Sequence, residues 1–168
     1  MKGRICKICA ESGIFCEQCD FKIKQGLISS TEIEISKLMY ELENKFKDLE
    51  HVQIEFVSEV DSSNIFVIIT SDSSIKPSFI KFLSSYLGEK THKNVKVIEK
   101  TNDMKRFISQ ILFPIRVLSI NQIWSPDGSH ECSIRVSNYD LKKNYINIAG
   151  LEKLLSNLLQ YKTRIQTY

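Results

Sequence analysis

The sequence predicts an α+β protein: a small cysteine-held module followed by two packed copies of a unit made of a β-hairpin, a helix and a strand. Three observations predict it. Four of the five cysteines fall inside "ICKICAESGIFCEQCD" (residues 5–20), as Cys6-x2-Cys9 and Cys16-x2-Cys19. Beyond them, hydrophobic spacing switches repeatedly between helical and alternating periods. Finally, "FIKFLSSYL" (79–87) and "LEKLLSNLL" (151–159) share the pattern apolar-x-Lys-apolar-Leu-Ser-x-apolar-Leu at an offset of 72 residues.

The cysteines read first as metal ligands. Thiolates at i and i+3 of a tight turn reach one ion, and two such turns complete a tetrahedron of soft ligands. Gly13 supplies the positive φ that a reversal between Cys9 and Cys16 needs. With no His and no water-bearing position, Cys6, Cys9, Cys16 and Cys19 predict one structural Zn2+. Zinc binding of this kind contributes on the order of 10–16 kcal/mol, enough to order a segment with little core of its own. A redox CxxC is the weaker reading, because neither pair opens a helix inside an evident βαβ pattern. Cys132, in an apparent strand, reads as a small buried hydrophobe.

The remaining elements follow in order. Ser29 to Glu32 supplies an N-cap and first-turn acids. Ile35, Leu38, Met39, Leu42, Phe46 and Leu49 then recur at helical spacing over about 18 residues. Val52, Ile54 and Phe56 alternate as a strand, residues 61–64 turn, and 65–69 is a fully buried strand. Residues 79–87 return to helical period, and 95–98 is a strand. Asn102 or Asp103 caps a helix carrying Phe107, Ile108, Ile111 and Leu112, which Pro114 stops. A strand over 115–124, a Pro126-Asp127-Gly128 turn, a return strand to Val136, a helix over about 150–159 and a strand at 163–165 complete the chain. Each copy is small for a core of its own, so the two should pack together. The predicted boundaries are 1–28 for the cysteine module, 29–112 for the first unit and 113–168 for the second.

A repeated hairpin, helix and strand, with a loop where a second short helix could sit, resembles the type II KH fold. Residues 86–120 resemble the hinge between tandem KH domains of archaeal NusA-like transcription factors: Leu87-Gly88 ending a helix, a strand over 95–99, a capped helix from Asp103, then Pro114 before the next strand. The resemblance covers 31–168 and implies an RNA-binding transcription elongation or termination factor working with RNA polymerase.

KH domains clamp single-stranded nucleic acid with a Gly-x-x-Gly loop. Carried over by position, that loop is Ser74-Ile75-Lys76-Pro77 in the first unit and Asn147-Ile148-Ala149-Gly150 in the second. The first has lost both glycines, and Pro77 removes a donor as well. In the second unit Lys142, Lys143, Asn147, Gly150, Lys162 and Arg164 are the candidate RNA contacts. Equally, they read as solvated lysines beside a glycine that starts a helix. Trp124, Tyr139 and Tyr145 read as core positions or as base-stacking platforms.

Charge agrees with a binding protein without demanding one. The chain carries +3 overall, and residues 101–168 carry nine basic against five acidic side chains. No apolar run approaches the roughly 18–20 residues of a membrane span, and no secretory signal follows the basic start. A cytoplasmic location is the expectation. His51, His92 and His130 stand alone, and no nucleophile elbow, phosphate loop or paired-carboxylate motif is present, so no enzyme is expected. Two functions stay open: an RNA-binding accessory factor of transcription, or a protein-docking scaffold on polymerase or ribosome whose KH loops no longer bind RNA.

Overall fold

Strand pairing divides the chain into two similar three-stranded sheets, one in each of two units, Met1–Lys100 and Thr101–Tyr168. The computed structural model describes every residue except Ser74, Ser125, Asp127, Ser129, Tyr145, Ile146 and Tyr168. The start of the first clamp position, the middle of the Pro-Asp-Gly turn and one candidate stacking tyrosine therefore lie outside the described residues.

In the first unit the cysteine pairs do open helices, although outside any βαβ element. Cys6 and Cys16 are the N-caps of α1 (Lys7–Ser12) and α2 (Glu17–Lys24), and Gly13 ends α1 at φ +71°. Helix α3 (Ser30–Glu43) begins where Ser29 Oγ accepts the Glu32 N–H at 3.1 Å. It stops at Glu43 instead of running on to Leu49. Asn44 is a poor helix residue, and a 3-10 turn at Lys47–Leu49 takes over. Its three-residue spacing keeps Phe46 and Leu49 on the same core.

Strands β1 (Val52–Asp61) and β2 (Asn64–Ser71) pair antiparallel. A register shift between Ile54 and Phe56 moves the buried phase of β1 from Val52 and Ile54 to Val57. Helix α4 (Pro77–Thr91) starts on Pro77, whose fixed φ suits a first turn, and β3 (Asn94–Glu99) returns parallel to β2. The core lies between one face of this sheet and α3 and α4: Ile35, Met39, Ile54, Val67, Leu83 and Leu87 are all buried there.

The second unit follows the same plan. Asp103 caps α5 (Met104–Leu112), accepting the Arg106 N–H at 3.1 Å. Strands β4 (Val117–Trp124) and β5 (His130–Val136) form the hairpin, and β6 (Lys162–Thr167) pairs parallel to β5. Two helices intervene, α6 (Asn138–Asn144) and α7 (Ile148–Leu159). The sequence pattern had placed only the second. NYDLKKN carries one buried leucine, and its anchor is tertiary: Asp140 accepts the Arg116 N–H at 3.1 Å and Nε–H at 3.0 Å.

The duplicated pattern has a structural cause. The serine shared by both repeats performs one task twice: Ser84 Oγ accepts the Val97 N–H of β3 at 3.1 Å, and Ser156 Oγ accepts the Thr163 N–H of β6 at 3.0 Å. Each thereby satisfies a donor on an edge strand that would otherwise invite pairing. The helices also end alike, on left-handed residues that are not glycine: His92 at φ 53° and Gln160 at φ 60°.

Candidate metal centre and basic surface

Four thiols converge as the sequence predicts. The Sγ atoms of Cys6, Cys9, Cys16 and Cys19 all lie within 4.8 Å of one another. Cys6 to Cys9 is 3.0 Å and Cys6 to Cys19 is 3.8 Å. A tetrathiolate tetrahedron with metal–sulfur bonds of ~2.3 Å has sulfur–sulfur edges of ~3.8 Å, so the cluster could close on one metal ion with small side-chain movements. Backbone N–H groups already face the sulfurs, as where the Cys16 N–H points at Cys9 Sγ at 3.2 Å. Hydrogen bonding, chiefly from the Cys19 backbone N–H, brings the Cys16 thiol down to about 7. Its hydrogen bond with Cys6, above all, pushes Cys9 up to about 12. An incoming ion must therefore displace the protons that the raised Cys9 and Cys19 thiols keep.

This module is built into the first unit. Ile5, Cys9, Ala10, Cys19 and Ile28 enclose Tyr40 of α3 in a second small core. Tyr40 Oη donates to the Ile5 carbonyl at 2.9 Å and accepts the Gly3 N–H at 3.1 Å. A Cβ on Gly3 would stand 2.8 Å from that hydroxyl, which is why glycine occupies the position. Lys2 extends the edge of the sheet by a parallel bridge to Gln53, with N–H to carbonyl bonds of 2.9 Å to and from β1. Burial works against ionising Glu43, yet hydrogen bonds from the N-terminal ammonium and Lys7 outweigh it and hold the carboxyl below its usual range. Burial raises the pKa of Glu32, whose Oε2 still pairs with Arg4 at 3.3 Å.

The candidate RNA contacts do not form one cluster. Lys142 and Lys143 occupy the last turn of α6, exposed, where they also complement the negative end of the helix dipole. Asn147 caps α7 and accepts the Gly150 N–H at 3.0 Å, so that donor is occupied and Gly150 lies in the first helical turn. In the first unit Lys76 is the N-cap of α4, followed by Pro77 at its first position. Lys162 and Arg164 alternate with Thr163 and Ile165 on β6. Thr163 is buried, so the two cations project from the opposite, open face of the sheet. That face also carries Arg135, which the sequence reading missed. The signal was available: Cys132, Ile134 and Val136 alternate with Glu131, Ser133 and Arg135 along β5.

Trp124 and Tyr139 are 70% and 69% exposed, so neither is a core residue. Trp124 stacks on His130 with ring centroids 3.7 Å apart and planes 12° apart, and Tyr161 covers His130 at 4.2 Å. Cys132 is buried, as expected. Among the described residues no helix is long and apolar enough to cross a membrane.

No family model matches the chain, and no curated protein matches it. Among solved structures it is similar to one titled "Crystal structure of APE1850", with 19% identity and a TM-score of 0.49, over 70% of this chain and 88% of that one.

Proposed function

We propose that this chain is a non-catalytic RNA-binding accessory factor of transcription, similar to archaeal NusA-like factors, in which Zn2+ orders a cysteine module ahead of a tandem KH-like body. Cys6, Cys9, Cys16 and Cys19 would hold the zinc, whose contribution is to folding: all four positions are thiolates, and none is left for water or substrate. The helix, hairpin, helix pair and parallel third strand of the second unit follow the order of a type II KH domain. One observation carries the assignment of RNA to that unit. Residues 101–168 hold nine basic against five acidic side chains, whereas residues 1–100 hold fourteen against fifteen. Phosphate contacts dominate nucleic-acid affinity, so the basic unit is the one that would take the strand.

Binding of the zinc-loaded chain to short single-stranded RNA, titrated with salt, tests the reading. Micromolar or tighter binding that weakens steeply with salt is expected. No binding at low salt would remove RNA as the partner. A second reading, docking to polymerase or ribosome, is favoured by a separate observation: Ile8, Ile14, Phe21 and Leu27 of the cysteine module are each more than half exposed. The two readings are compatible, since they use different units.

A further inference from the structure

The open face of the second sheet carries a line of cations that the helix-side residues do not match. Lys162 and Arg164 lie two residues apart on β6, about 6.6 Å along the strand. Arg135 on β5 is in register with Gln166, one diagonal step beyond Arg164, or roughly 7–8 Å. Asn121 and Ser133 complete the row at Arg164, since Asn121 pairs with Ser133 and Ser133 with Arg164. Asn121, Ser133, Arg135, Arg164 and Gln166 line a shallow cavity of about 210 Å³. Its one acid, Glu131, is engaged with Lys162 at 3.3 Å. Arg164 makes no hydrogen bond or ion pair among the described residues, in contrast to Gly150 and Asn147, which are occupied with capping α7.

We propose that this sheet face, and not the α6–α7 side, holds the phosphodiester backbone of single-stranded RNA. Arg164 and Arg135 each grip a phosphate, and Asn121 meets a ribose hydroxyl beside the Ser133–Gln166 pair, in which Ser133 Oγ donates to Gln166 Oε1 at 3.1 Å. The inference rests on the RNA-binding reading above and specifies its site. Charge complementarity selects the occupant: arginine forks match phosphate oxygens in pairs, and the oblique line of cations suits the successive phosphates of an extended strand.

The test compares two double variants of the zinc-loaded full chain, Arg135→Gln with Arg164→Gln and Lys142→Gln with Lys143→Gln. The readout is fluorescence anisotropy of a labelled oligouridine across a salt titration, with circular dichroism to check folding. The sheet-face pair is expected to weaken binding by about tenfold at low salt and to flatten the salt slope by about 1.4, two phosphates' worth for a single strand. The helix-side pair is expected to change affinity less than about threefold. Should the double arginine variant fail to fold, Arg164→Gln alone carries the test at about half that slope change. Loss confined to the lysine pair would overturn the sheet-face site while leaving RNA binding in place. Failure of the unmodified chain to bind oligouridine at low salt would overturn both, and assign the arginines to an acidic protein surface.

Discussion

Removing one oxygen atom, by Tyr40→Phe, should loosen the whole cysteine module. The Tyr40 ring is 3% exposed among Ile5, Cys9, Ala10, Cys19 and Ile28, and phenylalanine would keep that packing. What goes is the hydroxyl that donates to Ile5 and accepts from Gly3, at 2.9 and 3.1 Å. Two hydrogen bonds at about 1 kcal/mol each, with the buried Ile5 carbonyl and the half-buried Gly3 N–H left short of a partner, give a loss of about 2 kcal/mol. Ile5 adjoins the ligand Cys6, so the loss should also appear as weaker metal retention, up to about 30-fold if all of it is expressed there. Urea unfolding followed by far-ultraviolet circular dichroism measures the first quantity, and chelator competition measures the second. The unfolding measurement should be repeated on metal-free protein, where residues 1–28 have lost their staple and the difference between variant and parent should nearly vanish. An equal loss with and without metal would refute the reasoning, because the hydroxyl would then be serving α3 alone. So would a change below about 0.5 kcal/mol in the loaded protein.

Further outcomes follow from the duplicated architecture and from one half-buried cation. Ser84→Ala and Ser156→Ala should each cost about 0.5–1.5 kcal/mol by stripping a strand N–H of its acceptor, with the two costs additive because the sites lie in separate units. Unchanged thermal melting of both would contradict the edge-satisfying role. His92→Gly and Gln160→Gly relieve left-handed backbone and should stabilise by about 0.5–1 kcal/mol each; a loss of stability would count against those φ values. Burial brings Lys96 down from 10.5 to about 8, beside the Phe66 ring at 5.7 Å. Between those two values the unfolded chain binds a proton that the folded chain has lost, so stability rises with pH; below about 8 the full penalty is present. Lys96→Met should therefore stabilise by up to about 3 kcal/mol near neutral pH, with the gain shrinking toward pH 10.5. A gain independent of pH across that window would show that titration of Lys96 is not its source.

The features legible in the sequence were those written in spacing. Cys6, Cys9, Cys16 and Cys19 announced a shared site, and the shared LS of 83–84 and 155–156 announced a repeat whose two sheets have the same strand order and sense. Illegible features depended on partners far along the chain. Helix α6 has too little periodicity to be seen, because Arg116 holds it through Asp140. The short helices at the cysteines were read as turns, since six and eight residues cannot show a helical stripe. The extent of α3 was overstated because Phe46 and Leu49 keep helical spacing while the backbone changes type. The grouping of the basic side chains was illegible for the same reason as α6. Lys162 and Arg164 sort to one face only once β6 exists, and Arg135 joins them only through the parallel register of β5 and β6. Charge counting found the basic unit but could not separate its faces.

The central claim is that RNA binds to the second unit. It is tested most directly by photocross-linking a thiouridine-substituted single strand to the zinc-loaded chain and mapping the modified peptides. The account predicts adducts within 101–168, concentrated on the strands 117–124, 130–136 and 162–167. Adducts confined to 1–100, or none where a known RNA-binding control is labelled, would contradict it.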